Sequence, residues 1–339
     1  MRRALAASLP RPALCVSAAA VVLLLLAAPF MVDRYALSIL ILILYAAYLG
    51  QAWNVMMGFA GLLSIGHALY IGLGAYTAAA LFVHFGVPPL LGLFPGMALA
   101  AAAGALIGWL GFRFRIAGVY FALLTIAFAE VARIGFDHID WLGGSGGLFI
   151  PVAAEKRLDL LDLRGGIEMY YYLILALAAA ALVLSAVLLR SRLGYYWLAL
   201  REDEEAARSL GINLLRARIA AVLISAAMTA VAGTFNAFYN SNLFPEHIFS
   251  IGSSIDIILA PIVGGLGTLM GPIVGAFILA PLGALLLSLT TALGLDLPGL
   301  ELVIHGLLLV VIIRALPGGL WPWLKHRFGL AASASGGPS

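Results

Sequence analysis

The chain has 339 residues, of which 63% are hydrophobic and 10% charged, with a mean hydropathy of +1.08. A soluble domain carries about a quarter of its residues as charges, so this composition excludes a water-soluble fold and points to a membrane protein. The net charge of +3, with scattered basic residues, gives no nucleic-acid surface, and a single cysteine, Cys15, excludes an intrachain disulfide and argues against a cysteine metal site.

A spanning helix needs roughly twenty mainly apolar residues. On that rule ten segments read as spans: 13–32, 35–57, 63–84, 90–112, 117–136, 169–190, 217–240, 250–266, 272–291 and 299–315. The first follows a basic head, but its apolar run is long for a secretion signal, so a retained first helix is expected. With the N-terminus in the cytoplasm, ten spans place fourteen Lys and Arg inside and five outside (Arg34, Arg133, Lys156, Arg157 and Arg164). That bias follows the positive-inside rule. The expected fold is therefore an all-α polytopic membrane protein of about ten transmembrane helices with both termini cytoplasmic. Its divisions are an N-terminal tail over 1–12, a membrane domain over 13–317 and a C-terminal tail over 318–339.

Two connections are long. The outer one, Asp137 to Glu168, holds six acids, three bases and the glycine turn GGSGGL at Gly143–Leu148. The inner one, 191–216, concentrates charge in an apolar chain, with Arg201, Glu202, Asp203, Glu204, Glu205, Arg208 and Arg216. Acids at Asp203–Glu205, a base at Arg208 and a stop at Gly211 fit a short dipole-complemented helix. Ala206, Ala207 and Leu210 are expected to form its apolar side. Asn213 is placed to cap the next helix. Such a charge run is either a solvated loop helix or a docking element, and the small Ala206–Ala207 pair suits close packing by a partner.

Glycines recur at 58, 61, 66, 72 and 74, together with Ser64 and His67, in the stretch that Asn54 opens. They permit close helix packing or a helix break that lines a pathway for a zwitterion. Gly264, Gly265, Gly267, Gly271 and Gly275, with Pro261 and Pro272, present the same choice between a tight inner turn and a gate. Ionisable residues inside spans are few: Glu130 with Arg133 at i+3, Asp256, and Glu301 with His305. Each fits an interface anchor or a functional group.

Five stretches carry a family resemblance: NVMMGFAGLLSIGHALYIGLGAYTAA, GVYFALLTIAFAEVAR, GGSGGL, LGYYWLALREDEEAARSLGINLLRARIAAVLISA and IVGGLGTLMGPIVGAF. Together they resemble LivM-type permeases of the branched-chain amino acid ABC importers, over about Asp33 to Pro317. Tyr70 stands where that family often has Phe. The resemblance implies a coupling loop in which Asp203, Glu205, Ala206, Ala207 and Gly211 dock into an ATP-binding subunit. It implies a substrate pathway drawing on Asn54, Ser64, Gly66, His67, Thr125, Glu130 and Asp256. It also implies a homologous second permease, two ATP-binding subunits and a periplasmic binding protein as partners, in the bacterial inner membrane. Urea or short-chain amide permeases of the same wider family are the alternative.

No catalytic site and no metal site are expected. The two lysines, Lys156 and Lys325, complete no phosphate-binding loop. ATP and magnesium are therefore expected on partner subunits, not on this chain. A secondary transporter would need carboxylates nearer mid-membrane, and an intramembrane hydrolase would need nucleophile or zinc motifs that the sequence lacks.

Overall fold

The computed structural model describes residues 12–151, 159, 161–292, 303, 306–307, 310, 314, 316 and 318–327. The long helices of the first half are α1 (Pro12–Met31), α2 (Arg34–Asn54), α3 (His67–Phe85), α4 (Pro89–Arg113), α5 (Val119–Asp137) and α6 (Ile167–Arg190). A short α7 (Arg192–Glu202) and α8 (Glu204–Ser209) follow, then the long α9 (Leu214–Asn240). A single turn, α10 (Pro245–Ile248), leads into α11 (Ile251–Gly264), α12 (Gly271–Ala292) and α13 (Leu320–Arg327). Seven stretches among the described residues are long and apolar enough to cross a membrane. Nine of the ten expected spans coincide with helices; 299–315, with Glu301 and His305, lies largely outside the described residues.

The core forms around α9, which packs on α2, α3 and α4. Small residues allow it: a Cβ on Gly74 of α3 would overlap the backbone of Ala230 in α9. Tyr48 of α2 donates to the carbonyl of Met228 at 2.8 Å, and Trp53 is fully buried beside them. Pro29 of α1 has no N–H to give the carbonyl of Leu25 four residues earlier. Tyr171 of α6 supplies the donor instead, at 2.7 Å, and Tyr172 bonds Leu26 at 3.0 Å.

One local boundary is corrected: the third span begins at His67, not 63, because Gly61 turns left-handed (φ 70°) and residues 61–66 run irregularly. Within the helical fold a two-residue antiparallel ribbon, Leu148–Phe149 against Asn242–Leu243, straps the long loop before α6 to the end of α9. Within the expected C-terminal tail lies the helix α13; its Pro322 lies against Gly265, so it seats on the turn between α11 and α12.

Candidate functional site

Five of the residues singled out in the sequence gather where α2 ends and α3 begins, in two hydrogen-bonded groups. The first is a buried knot. Ser64, His67, Thr125 and Ser225 are each at most 1% exposed. Ser225 Oγ donates to the carbonyl of Ala52 at 2.7 Å, which uses its only proton. At its 2.9 Å contact with His67, Ser225 therefore accepts from Nε2–H. Nδ1 is left to accept from Ser64 Oγ–H at 3.0 Å. Around this relay Trp53 Nε1 donates to the Ser64 carbonyl, Thr125 Oγ1 accepts from the Ile65 amide, and Ser254 Oγ accepts from the Ala68 amide. Thus side chains satisfy backbone groups freed by the irregular 61–66 segment. Gly66 sits so close to Thr125 that a Cβ would overlap the Thr125 carbonyl.

Asn54 heads the second group, toward the α8 end. Beyond Asn54 the helix loosens into a π-turn, Val55–Phe59. Asn54 Oδ1 accepts from the Gly267 amide at 2.9 Å, and Nδ2 donates to the Thr268 carbonyl at 2.9 Å. Gln51 Nε2 donates to the Leu269 carbonyl at 2.5 Å. The glycine turn between α11 and α12 is thereby clamped to α2. Arg201, in α7, reaches the same point: its Nη1 donates to the Gly58 carbonyl at 2.5 Å. Gly267 (φ 75°) lies against both Arg201 Nη1 and the Gly58 carbonyl, so it has a left-handed backbone and no room for a side chain. The sequence marks neither Gln51 nor Arg201 for this role; Arg201 there is one member of a charged run.

The charged segment around α8 matches its sequence signals. Asp203 Oδ1 accepts from the amides of Glu205 and Ala206 at 2.9 and 3.0 Å, capping α8. Gly211 (φ 82°) ends it: the Gly211 amide bonds the Arg208 carbonyl and the Ile212 amide bonds the Ala207 carbonyl, a Schellman closure. Asn213 Oδ1 accepts from Arg216 N, capping α9. Glu204 bridges Arg218 of α9 at 2.5 Å and Arg208 at 3.2 Å.

The expected single apolar side is divided, because successive helix residues point about 100° apart. Ala207 is 1% exposed and packs inward with Leu200 and Leu214. Ala206 and Leu210, at i and i+4, face outward, with Leu210 80% exposed. Ala207 therefore seats the helix, and the outward pair is what a partner would meet.

Toward the other end of α9, at Asn236 and Asn240, a cavity of about 510 Å³ opens between α2, α9, α11 and α12. Leu42, Leu49, Ile71 and Ile257 line it, with Tyr45, Asn236, Asn240, His247 and Asp256. Its floor is Leu259, Ala260, Ala276 and Leu279, which belong to a packed apolar cluster with Ile43, Ala47 and Val263. Asp256 lines this cavity two residues beyond Ser254, whose hydroxyl joins the Ser64–His67 knot. Glu130 does not line the cavity and pairs with Arg133 at 2.6 Å, and Arg133 also holds Asp137 at 3.0 Å. The expected Glu130–Arg133 pair is thus present and extended by one carboxylate.

Residues 35–313 match the family model described as branched-chain amino acid transport system / permease component. The chain is 32% identical, over 94% of its length and 77% of the relative's, to the high-affinity branched-chain amino acid transport system permease protein LivM of Escherichia coli. It is 31% identical, with the same coverage, to LivM of Salmonella typhimurium. It is 26% identical, over 79% of its length and 88% of the relative's, to BraD of Pseudomonas aeruginosa, also a branched-chain amino acid permease protein by name. No solved structure matches the chain.

Proposed function

The chain belongs to the family of branched-chain amino acid transport system permease components, and from that premise we propose that it is the membrane subunit of an ATP-driven importer of branched-chain amino acids in a bacterial inner membrane. It is a multi-pass membrane protein. In this reading ten helices span the bilayer with both termini in the cytoplasm. A second, homologous permease completes the translocation pathway, two ATP-binding subunits supply energy, and a periplasmic binding protein delivers substrate to the outer loop around Gly143–Leu148.

The observation that carries the reading is the mounting of α8. It is capped at both ends, presents Ala206 and Leu210 outward, and together with α7 is joined to the helix bundle at two points. Glu204 bridges Arg218 at the start of α9, and Arg201 holds the Gly58 carbonyl beside the clamped glycine turn. A rigid displacement of α8 on ATP binding would move α7 and α9 with it. Through Arg201 it would pull on the α2 break and on the α11–α12 turn, directly below the apolar plug of Ile43, Leu259 and Val263. Opening and closing that plug is the inner gate of the cycle.

The experiment is co-purification of the ATP-binding subunits with Leu210→Asp permease. Loss of the ATPase from an otherwise assembled complex supports the reading. Retention of the ATPase with undiminished ATP-dependent uptake overturns it.

A further inference from the structure

The helix α13, LWPWLKHR, is seated on the bundle through its first half and bare through its second. We propose that the bare half is a docking surface for anionic lipid head groups: Lys325 and Arg327 take the phosphates, and Trp323 lies at the level of the head groups. The choice of the inner leaflet rests on the reading of the chain as an importer permease with cytoplasmic termini. The docking surface rests on the helix itself.

Close contacts fix the seated half. Leu316 and Leu320 pack on the apolar cluster of Ile43, Leu259 and Val263. Gly319 turns left-handed (φ 84°) and lies so near Gly265 that a Cβ on it would overlap the Gly265 backbone. Pro322 lies against the same glycine. Gly267, two residues along that turn, touches Arg201 of α7. The helix α13 therefore stands at the end of the bundle that carries α8, where the basic residues concentrate.

The second half meets no partner within the described residues. Trp323 is 47% exposed, and Lys325, His326 and Arg327 are exposed. Among the described residues no carboxylate pairs with Lys325 or Arg327. From Leu302 to Ser339 the sequence holds no Asp or Glu. Trp323 and Arg327, four residues apart, share one helix face. An indole beside long basic side chains suits a bilayer boundary, because the ring and the aliphatic stems lie on acyl chains while the cations reach phosphates. Beside the seat, Leu266 in the turn and Phe277 and Ile278 of α12 are exposed apolar side chains. That flank suits lipid, and α13 stands at its end. A basic segment without acids is complementary to an anionic surface, and each Lys or Arg near such a surface strengthens the attraction about fivefold.

The test uses the whole complex in proteoliposomes, with Cys15→Ala removing the native thiol and His326→Cys carrying a fluorophore. The complex with Cys15→Ala alone is the blank. Phosphatidylglycerol or phosphatidylcholine, each bearing a nitroxide at the top of one acyl chain, is present as the same minor fraction of the bilayer. Phosphatidylglycerol should quench the fluorophore more strongly. Lys325→Gln with Arg327→Gln should cut that excess about fivefold or more, in a complex that still assembles. Equal quenching by the two lipids in a complex that imports leucine with ATP overturns this inference alone. So does an excess that survives the double substitution. Quenching by neither lipid puts a protein partner on α13 and overturns it too. An excess that depends on Lys325 and Arg327, in a complex that imports nothing with ATP, supports the lipid surface while the permease reading falls.

Discussion

Arg201 Nη1 and the Gly58 carbonyl oxygen lie 2.5 Å apart, joining the helix that leads into α8 to the loosened end of α2. A helix end leaves carbonyls without intrahelical donors, and here the donor comes from the segment that a cytoplasmic partner would move. The same guanidinium packs on Gly267, whose amide is held by Asn54.

Arg201→Ala should therefore separate assembly from transport. A hydrogen bond to a charged group contributes about 1.5–3 kcal/mol, so ATP-dependent uptake should fall by roughly tenfold or more while the ATP-binding subunits still co-purify. Arg201→Lys should recover little, because one ammonium cannot hold the Gly58 carbonyl and Glu202 together as Nη1 and Nη2 of the guanidinium do. Uptake by Arg201→Ala equal to that of the unaltered permease would remove the strut from the mechanism.

On α8, two neighbouring alanines should behave differently. Ala206→Arg adds a charge to the outward face and should reduce ATPase association in a stably inserted permease. Ala207→Arg forces a charge into a site that is 1% exposed, so it should destabilise the loop by several kcal/mol. Limited proteolysis between α7 and α9 reads the difference: faster cleavage is expected for Ala207→Arg and unchanged cleavage for Ala206→Arg.

His67 should act first on stability. His67→Ala removes both hydrogen bonds of the relay, strands the Ser64 hydroxyl and leaves a void, at a cost of about 2–5 kcal/mol. A clearly lowered thermal midpoint for the detergent-solubilised protein is expected, with Ser225→Ala showing a smaller fall because it removes fewer bonded atoms. An unchanged midpoint with lost uptake would instead give His67 a role in the pathway.

Glu130 should tolerate the loss of its charge. Exposed ion pairs contribute up to about 1 kcal/mol, and Arg133 keeps Asp137 when Glu130 is lost. Glu130→Gln should leave uptake within about twofold of the unaltered complex, read from initial rates at saturating binding protein.

The helices were legible because their signals are local. Nine apolar segments became helices, and the Asp203 cap, the Gly211 stop and the Asn213 cap lie where their residue types require. Contacts between distant segments were not legible. No pattern within 51–58 announces that Gln51 and Asn54 hold Leu269, Gly267 and Thr268 more than two hundred residues away. Ser64 and His67 could be read either as packing or as pathway from sequence, since a buried relay and a lined channel use the same residue types. The partner that distinguishes them, Ser225, lies in a different span. The division of Ala206 from Ala207 needed the helix's orientation on Leu200 and Leu214.

Dependence of transport on an ATP-driven assembly is read directly from uptake of labelled leucine and labelled urea into proteoliposomes holding this permease, its homologous partner and the ATP-binding subunits, with the binding protein outside. Leucine uptake that requires both ATP inside and the binding protein, with no urea uptake, is expected. Leucine uptake by this chain alone, driven by a proton or sodium gradient, would overturn the assignment to an ATP-driven importer.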